Sequence, residues 1–344
     1  MAVTHFLSLM PDSLHLTVRE RSQAGEARRL ALSWAADNGC SPDQQAKVAL
    51  VISELANNLA LHTTDGGHLL LRMLDDGGPD AVEILSLDQG PGSANFGACM
   101  RDGYSTAGTA GTGLGAVQRA SEYFETFSQL GTGTVILSQL CPNKPMGIRR
   151  HQFGLTNVPI KGEVVCGDAG GYLDLGGGRF RFIVADGLGH GPCAADASQA
   201  ALKVFKEHPK ADLPTLMQNI HGALRATRGA AVALVEVDSS AGTVSYLGVG
   251  NIASSLVRHD GSASHLVSSN GTVGVVLPRL QPFSYTWSAE TLLVMTSDGV
   301  KNHWRLDKYA GLMNRHPSLI AGVLFRDHSR KTDDTTAAVF RICT

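Results

Sequence analysis

The chain has 344 residues, 43% apolar and 17% charged, with a formal net charge of −2, the balance of a soluble globular protein long enough for about two cores. No apolar run is long enough to span a bilayer, no basic segment followed by an apolar core opens the chain, and no basic run carries interleaved aromatics, so a cytoplasmic protein with neither membrane nor nucleic acid as partner is expected. Its six cysteines are scattered without a Cys-x-x-Cys, which suits reduced thiols better than a disulfide framework. Lys and Arg number 8 against 15 Asp and Glu in residues 1–140, and 21 against 16 in residues 141–344. That sign change suits two domains of separate origin or with different partner surfaces.

Residues 14–19 alternate as a strand, and the Ala/Arg/Leu-rich run 23–37 reads as a helix ending near Asn38-Gly39. Ser41-Pro42-Asp43 opens a second helix, in which Val48, Val51, Ile52, Leu55 and Leu59 are spaced to face a core. Glu54 and Asn58, four apart, share another face of it. Strands at 68–74 and 81–87 follow, the second running into Asp88-Gln-Gly-Pro-Gly92. A glycine-rich stretch from Asp102 to Gly115 then leads into a helix at 116–121, and glycine-rich backbone at a helix start offers N–H groups to phosphate oxygens. Two more strands, 123–128 and 134–139, close this half.

Glu54-x-x-x-Asn58, Asp88-x-Gly90-x-Gly92 and Gly111-x-Gly113-x-Gly115 stand in the order of three boxes of the GHKL ATP-binding fold. Asp102-Gly-Tyr-Ser-Thr together with Gly113-Leu-Gly-Ala-Val-Gln-Arg119 resembles more narrowly the small serine kinases of the RsbT type. The resemblance covers about residues 10–140 and implies an α/β sandwich (Bergerat fold) that binds ATP. It implies that the Asn58 amide oxygen binds Mg²⁺ and that Glu54 takes the proton of a substrate Ser or Thr hydroxyl. Asp88 would accept from the adenine amino group, Gly90 and Gly92 would let the chain pass close to the base, and the loop with Gly111, Gly113 and Gly115 would wrap the phosphates. Phosphoryl transfer needs positioning and charge neutralisation more than covalent help. Read from the residue alone, Glu54 could also be an ordinary exposed helical glutamate.

Cys141-Pro-Asn-Lys-Pro-Met-Gly147 carries two prolines and a glycine and reads as a linker over 141–149 between domains at 1–140 and 150–344. In the second domain, hairpin signals fall at Gly170-Gly171 and Gly176–Gly178. Helices are expected at 194–205, 213–227, 306–314 and 318–326, and strands at 231–237, 243–249, 254–258, 292–296 and 336–341. Many strands plus two helical pairs suit an αββα sandwich, making the whole chain α+β.

The stretch Phe182-Ile-Val-Ala-Asp186 is a buried strand that delivers a carboxylate into a glycine turn, Gly187-Leu-Gly-His-Gly191. Such a carboxylate costs several kcal/mol unless a cation or a proton answers it. Asp168, Asp298 and the pair Asp333-Asp334 lie at similar junctions. Together they resemble an oxygen-ligand cage for a hard cation, Mg²⁺ or Mn²⁺, and no short-spaced Cys and His suggest zinc nearby.

The order Gly-Asp168, Asp186-Gly-x-Gly-His-Gly, Ser-Asp298-Gly and Asp333-Asp-x-Thr resembles the metal-dependent protein serine/threonine phosphatases of the 2C type, in particular the bacterial SpoIIE/RsbX-like branch that dephosphorylates anti-sigma antagonist proteins. The resemblance covers about residues 150–344 and implies two-metal hydrolysis, in which a water held between the ions attacks phosphorus in line. Asp186 would bridge the metals, the Gly187 carbonyl and Asp168 would add ligands, and Asp298 with Asp333, in preference to Asp334, would complete one site. His190 either protonates the leaving alkoxide or merely starts a helix. The chain departs from the broader family after Asp168, where Ala169-Gly-Gly171 stands in place of a second acid, which puts a third metal there in doubt.

The two halves imply a bifunctional switch that phosphorylates and dephosphorylates Ser or Thr of a small STAS-type or anti-sigma antagonist phosphoprotein. The competing reading makes the N-terminal half an ATP sensor or partner-binding module that only regulates the phosphatase.

Overall fold

In a computed structural model, the described residues are 13–74, 81–94, 113–141, 151–288 and 290–343, and the chain divides into two units, Met1–Gly147 and Ile148–Thr344. Gly111, the segment from Asp102 to residue 112 and residues 142–149 of the expected linker lie outside the described residues.

In the first unit, Ser41 accepts a hydrogen bond from the Gln44 amide and Pro42 occupies the first helical turn, a start that satisfies an otherwise orphaned donor. The resulting helix α2 (Pro42–His62) packs beside α1 (Arg21–Asp37) on one face of an antiparallel sheet. The strands are β1 (Ser13–Val18), β2 (Gly67–Met73), β3 (Val82–Asp88), β4 (Tyr123–Gln129) and β5 (Gly133–Leu140), in the order β1-β2-β3-β5-β4. Val48, Val51, Ile52, Leu55 and Leu59 of α2 meet Val18, Leu69, Leu71, Val82 and Ile84 of the sheet. Each fully buried side chain contributes about 1.5–3 kcal/mol. Helix α3 (Gly113–Ala120) extends N-terminal of its expected 116–121 span.

The second unit stacks two five-stranded sheets. One has the order β13-β10-β9-β8-β7, built from β7 (Asp168–Gly176), β8 (Arg179–Gly187), β9 (Ala230–Asp238), β10 (Thr243–Val249) and β13 (Phe283–Thr286). The other has the order β12-β11-β14-β15-β6, built from β6 (His151–Val158), β11 (Ala253–Val257), β12 (Ala263–Leu266), β14 (Leu292–Thr296) and β15 (Thr335–Ile342). Phe180, Phe182 and Val184 of β8 enter the core between the sheets with Leu293, Met295 and Phe340. Ile183 and Ala185 face the other way, against Ala197 and Phe205 of α4 (Pro192–Glu207) and Leu216 and Met217 of α5 (Leu213–Leu224). Strand β8 is apolar without a break from Phe182 to Ala185 because both its faces are covered there. Helix α6 (Pro317–His328) packs on β6 and β15 of the second sheet, which completes the αββα layering.

Two local expectations change. Gly170 and Gly171 lie within β7 rather than in a turn; a Cβ on either would come within 2.9 Å of a leucine methyl, of Leu155 and Leu202 respectively. The turn between β7 and β8 is made by Gly176, Gly177 and Gly178, as expected, all at positive φ. The expected helix 306–314 is two short 3₁₀ turns, Leu306–Lys308 and Leu312–Asn314, because Gly311 between them is left-handed, at φ 77°. Among the described residues no helix is long and apolar enough to cross a membrane.

Candidate active sites

In the first unit the sequence boxes are strung along α2. Glu54 and Asn58 are one turn apart, and His62, a further turn on, is its last residue. The Glu54 carboxylate lies against Gly113: a Cβ there would come within 2.5 Å of Glu54 Oε2 and push the carboxylate aside. At the other end the Gly90 turn packs on α2, where a Cβ on Gly90 would sit 3.3 Å from the His62 carbonyl and 3.2 Å from the Thr63 methyl. By helical rise the two contacts are about 12 Å apart along one axis.

Asn58 lies between them, and its Nδ2 is buried with no hydrogen-bond partner among the described residues. A buried amide left unpaired costs about 1–3 kcal/mol, so this one marks a place where a polar ligand group belongs. Asp88, at the end of β3, accepts through Oδ1 from the amides of Gly90 (2.8 Å) and Thr134 (3.3 Å). Those bonds fix the turn. Gly92, at φ 62°, sits against the Gln129 carbonyl, where no side chain fits. Gly115 is buried in the first turn of α3. The unpaired Asn58 amide and the glycines of the Asp88 turn and of α3 thus lie along one side of α2, and glycine backbone of this kind offers N–H groups to phosphate oxygens.

In the second unit the acids gather at one edge of the sandwich, because strands of both sheets start or stop there. Asp168 opens β7 and pairs in register with Asp186 near the end of β8. Asp298 follows β14, and Asp333-Asp334 precede β15, its antiparallel partner. Burial pushes the Asp186 carboxyl up to about 9, with Asp168, Asp298, Asp333 and Asp334 adding to it. Burial likewise lifts Asp168 to about 7 against the lowering effect of the Ser297 and Thr336 hydroxyls, and its Oδ2 has no partner among the described residues. Asp298 is raised by burial and by Asp333.

Asp334 differs from its neighbour. Its Oδ1 accepts from the Ile160 amide (2.7 Å) and its Oδ2 from the Gly167 amide (2.8 Å), so both oxygens are committed to holding the loop before β7. Asp333 accepts through Oδ1 from the Asp334 amide at 2.9 Å and is partly exposed. Gly187 is packed against the first turn of α4 and its amide donates to the Gly167 carbonyl (3.1 Å).

Among the described residues no three His, Cys, Asp or Glu side chains form a closed set of ligands around one point. A Mg²⁺-like ion asks for less than that, since it keeps several waters and takes one or two carboxylates. Converging acids whose ionisation is suppressed by burial and by one another, one of them with an orphaned buried oxygen, fit such ions well.

His190 stands just before Gly191, the N-cap of α4, and its Nδ1 is 2.8 Å from Glu163 Oε1. Glu163 went unmarked in the sequence, as did Asn251, whose Nδ2 donates to Asp298 Oδ2 at 2.7 Å, and Arg330, whose Nε donates to the Asp298 carbonyl at 2.7 Å. These partners lie 27, 47 and 32 residues away, beyond any local spacing pattern.

Residues 17–138 match the family model of the histidine kinase-like ATPase domain and residues 176–342 that of Stage II sporulation protein E. The chain is 36% identical over 110 residues to the serine/threonine-protein kinase RsbT of Bacillus subtilis (strain 168), covering 32% of this chain and 82% of that protein. It is 23% identical over 244 residues to Stage II sporulation protein E of Priestia megaterium, covering 62% of this chain and 42% of that protein, so it spans less than half of that relative's length. A structure described as "The bacterial stressosome: a modular system that has been adapted to control secondary messenger signaling" superposes with a TM-score of 0.53 at 27% identity, over 56% of this chain and all of that one.

Proposed function

The chain belongs to the RsbT family of histidine kinase-like ATPase domains through its N-terminal half and continues into a SpoIIE-type phosphatase domain of the 2C fold, and from that premise we propose a bifunctional regulatory switch enzyme. Its first unit phosphorylates, and its second dephosphorylates, Ser or Thr of a small STAS-type or anti-sigma antagonist protein in the cytoplasm.

In the first unit Glu54 takes the proton from the substrate hydroxyl. The γ-phosphoryl group of ATP passes to that oxygen, and ADP leaves. Asn58 holds Mg²⁺, Asp88 orients the adenine, Gly90 and Gly92 keep the floor beneath it low, and the segment of Gly111, Gly113 and Gly115 presents amides to the phosphates.

In the second unit Asp168, Asp186, Asp298, Asp333 and the Gly187 carbonyl hold divalent cations, Mg²⁺ or Mn²⁺. Such ions supply a water activated near neutral pH and neutralise charge on phosphorus oxygens. Asp334 is left out because its oxygens already serve two amides. His190 Nε2 gives a proton to the departing Ser or Thr oxygen, with Nδ1 held by Glu163.

The observation that carries this reading is the meeting of Asp168, Asp186 and Asp298 at one edge of the sandwich, each raised by burial and by neighbouring carboxylates. Both activities at once would hydrolyse ATP to no effect, so partner or nucleotide favours one site at a time. The test incubates the chain with ATP, Mn²⁺ and a STAS-type protein, comparing wild type with Glu54→Ala and Asp186→Asn. The first variant is expected to lose phosphotransfer while keeping ATP binding, and the second to lose phosphate release. A wild-type chain that binds ATP but transfers nothing makes the first unit a sensor.

A further inference from the structure

Beside the acid edge stands one cation that the reading above leaves unused. Gly189, in the turn between Asp186 and His190, has φ +88°, and a Cβ there would lie 3.1 Å from Arg228 Nη1. The guanidinium is therefore laid against that turn. Arg228 is also tied to it through the backbone: the Leu188 amide donates to the Gly229 carbonyl at 3.0 Å, and Ala230 and Ala231 pair in register with Gly187 and Asp186. The arginine thus sits at the mouth of the β8–β9 ladder whose end carries Asp186.

Its charge is uncommitted. Arg228 is exposed and has no hydrogen bond or ion pair among the described residues, in contrast to Arg330, which is bonded to the Asp298 carbonyl. When ionised, Asp168, Asp186, Asp298 and Asp333 carry four negative charges, which two divalent cations cancel. A phosphomonoester dianion reaching that edge then arrives without a counter-charge, and a guanidinium matches phosphate oxygens in a fork of two donors.

We propose that Arg228 is the phosphate-binding residue of the second unit, receiving the phosphoryl oxygens of the phosphoserine or phosphothreonine substrate at the rim of the acid edge. The assignment rests on the phosphatase reading for its substrate, but not for its measurement. With the full chain in Mn²⁺, binding of inorganic phosphate is measured by calorimetry for wild type, Arg228→Gln and Arg228→Lys, and hydrolysis of p-nitrophenyl phosphate is followed in parallel.

One or two charge-assisted hydrogen bonds predict phosphate binding weakened about tenfold to a hundredfold in Arg228→Gln, with partial recovery in Arg228→Lys. KM for the aryl phosphate should rise by a similar factor, with kcat within about threefold of wild type, and calorimetric Mn²⁺ affinity should stay unchanged, which a merely structural arginine would not produce. Arg228→Gln binding phosphate within about twofold of wild type overturns the proposal, and so does a wild-type chain that binds none. A wild type that binds phosphate through Arg228 yet hydrolyses nothing upholds the site and contradicts the phosphatase reading instead.

Discussion

Asp168 and Asp186 face each other in register across β7 and β8, two carboxylates at the end of the ladder where Ala169, Ala185 and Val184 follow. Burial holds both above the ordinary carboxylate range, with Asp168 and its neighbouring acids adding at Asp186 and Asp334 and Asp298 adding at Asp168. An arrangement so unfavourable to charge persists in a fold when something else neutralises it.

Without divalent cation, that repulsion makes stability pH-dependent in a defined sense. Asp186 at about 9 and Asp168 at about 7 lie above their ordinary 3.8, so the folded chain holds protons the unfolded chain releases. Stability is highest below about pH 4 as far as these groups go, and falls as pH rises toward 9. Thermal unfolding in chelator should show that decline for the second unit, and Mn²⁺ or Mg²⁺ should reverse it by an amount that grows with pH. A metal effect equal at pH 5 and pH 8 would count against ligation by these acids.

Asp333 and Asp334, adjacent in sequence, should separate in experiment. Asp334→Asn loses an acceptor for the Ile160 or Gly167 amide and should cost about 1–3 kcal/mol of stability. Asp333→Asn should leave the unfolding temperature nearly unchanged while lowering Mn²⁺ affinity and phosphate release. Calorimetry and thermal melts on the two variants decide it.

In the first unit, Gly113→Ala places a methyl where Glu54 Oε2 now lies. Alanine favours the helix over glycine by about 1 kcal/mol, so the fold should be no less stable. The displaced carboxylate should nonetheless lower phosphotransfer by at least about tenfold. Measured stability and transfer rate moving down together would point to a packing role instead.

The first unit also has its own acid sensitivity. His15 Nε2 is 2.9 Å from His68 Nδ1 on neighbouring strands, and burial, helped by His68, lowers His15 from 6.5 to about 4. The folded chain refuses a proton that the unfolded chain accepts, so stability is lost as pH falls from about 6.5 toward 4, by up to about 3 kcal/mol. Unfolding followed by Trp34 fluorescence should show the loss, and His15→Gln should flatten it.

The layers of both units were legible wherever a strand met solvent on one side or a helix kept its period. The α2 stripe from Val48 to Leu59 and the unbroken run into Asp186 are the clearest cases. Acids followed by glycine at strand ends also showed in the sequence, since a carboxylate after a buried run has few structural uses. The supporting contacts did not: Glu163 to His190, Asn251 to Asp298 and Arg228 to Gly189 join segments brought together only by sheet pairing. Gly170 and Gly171 misled because the same residue serves a turn and a tight approach within a strand.

The most direct measurement is Mn²⁺-dependent release of phosphate from a phosphoserine protein substrate by wild type and Asp186→Asn, with Mn²⁺ binding read alongside. The account predicts that the variant keeps its fold, loses at least about a hundredfold of the release rate, and binds Mn²⁺ more weakly. A variant that still releases phosphate at the wild-type rate would show that the acids at this edge are not where hydrolysis takes place.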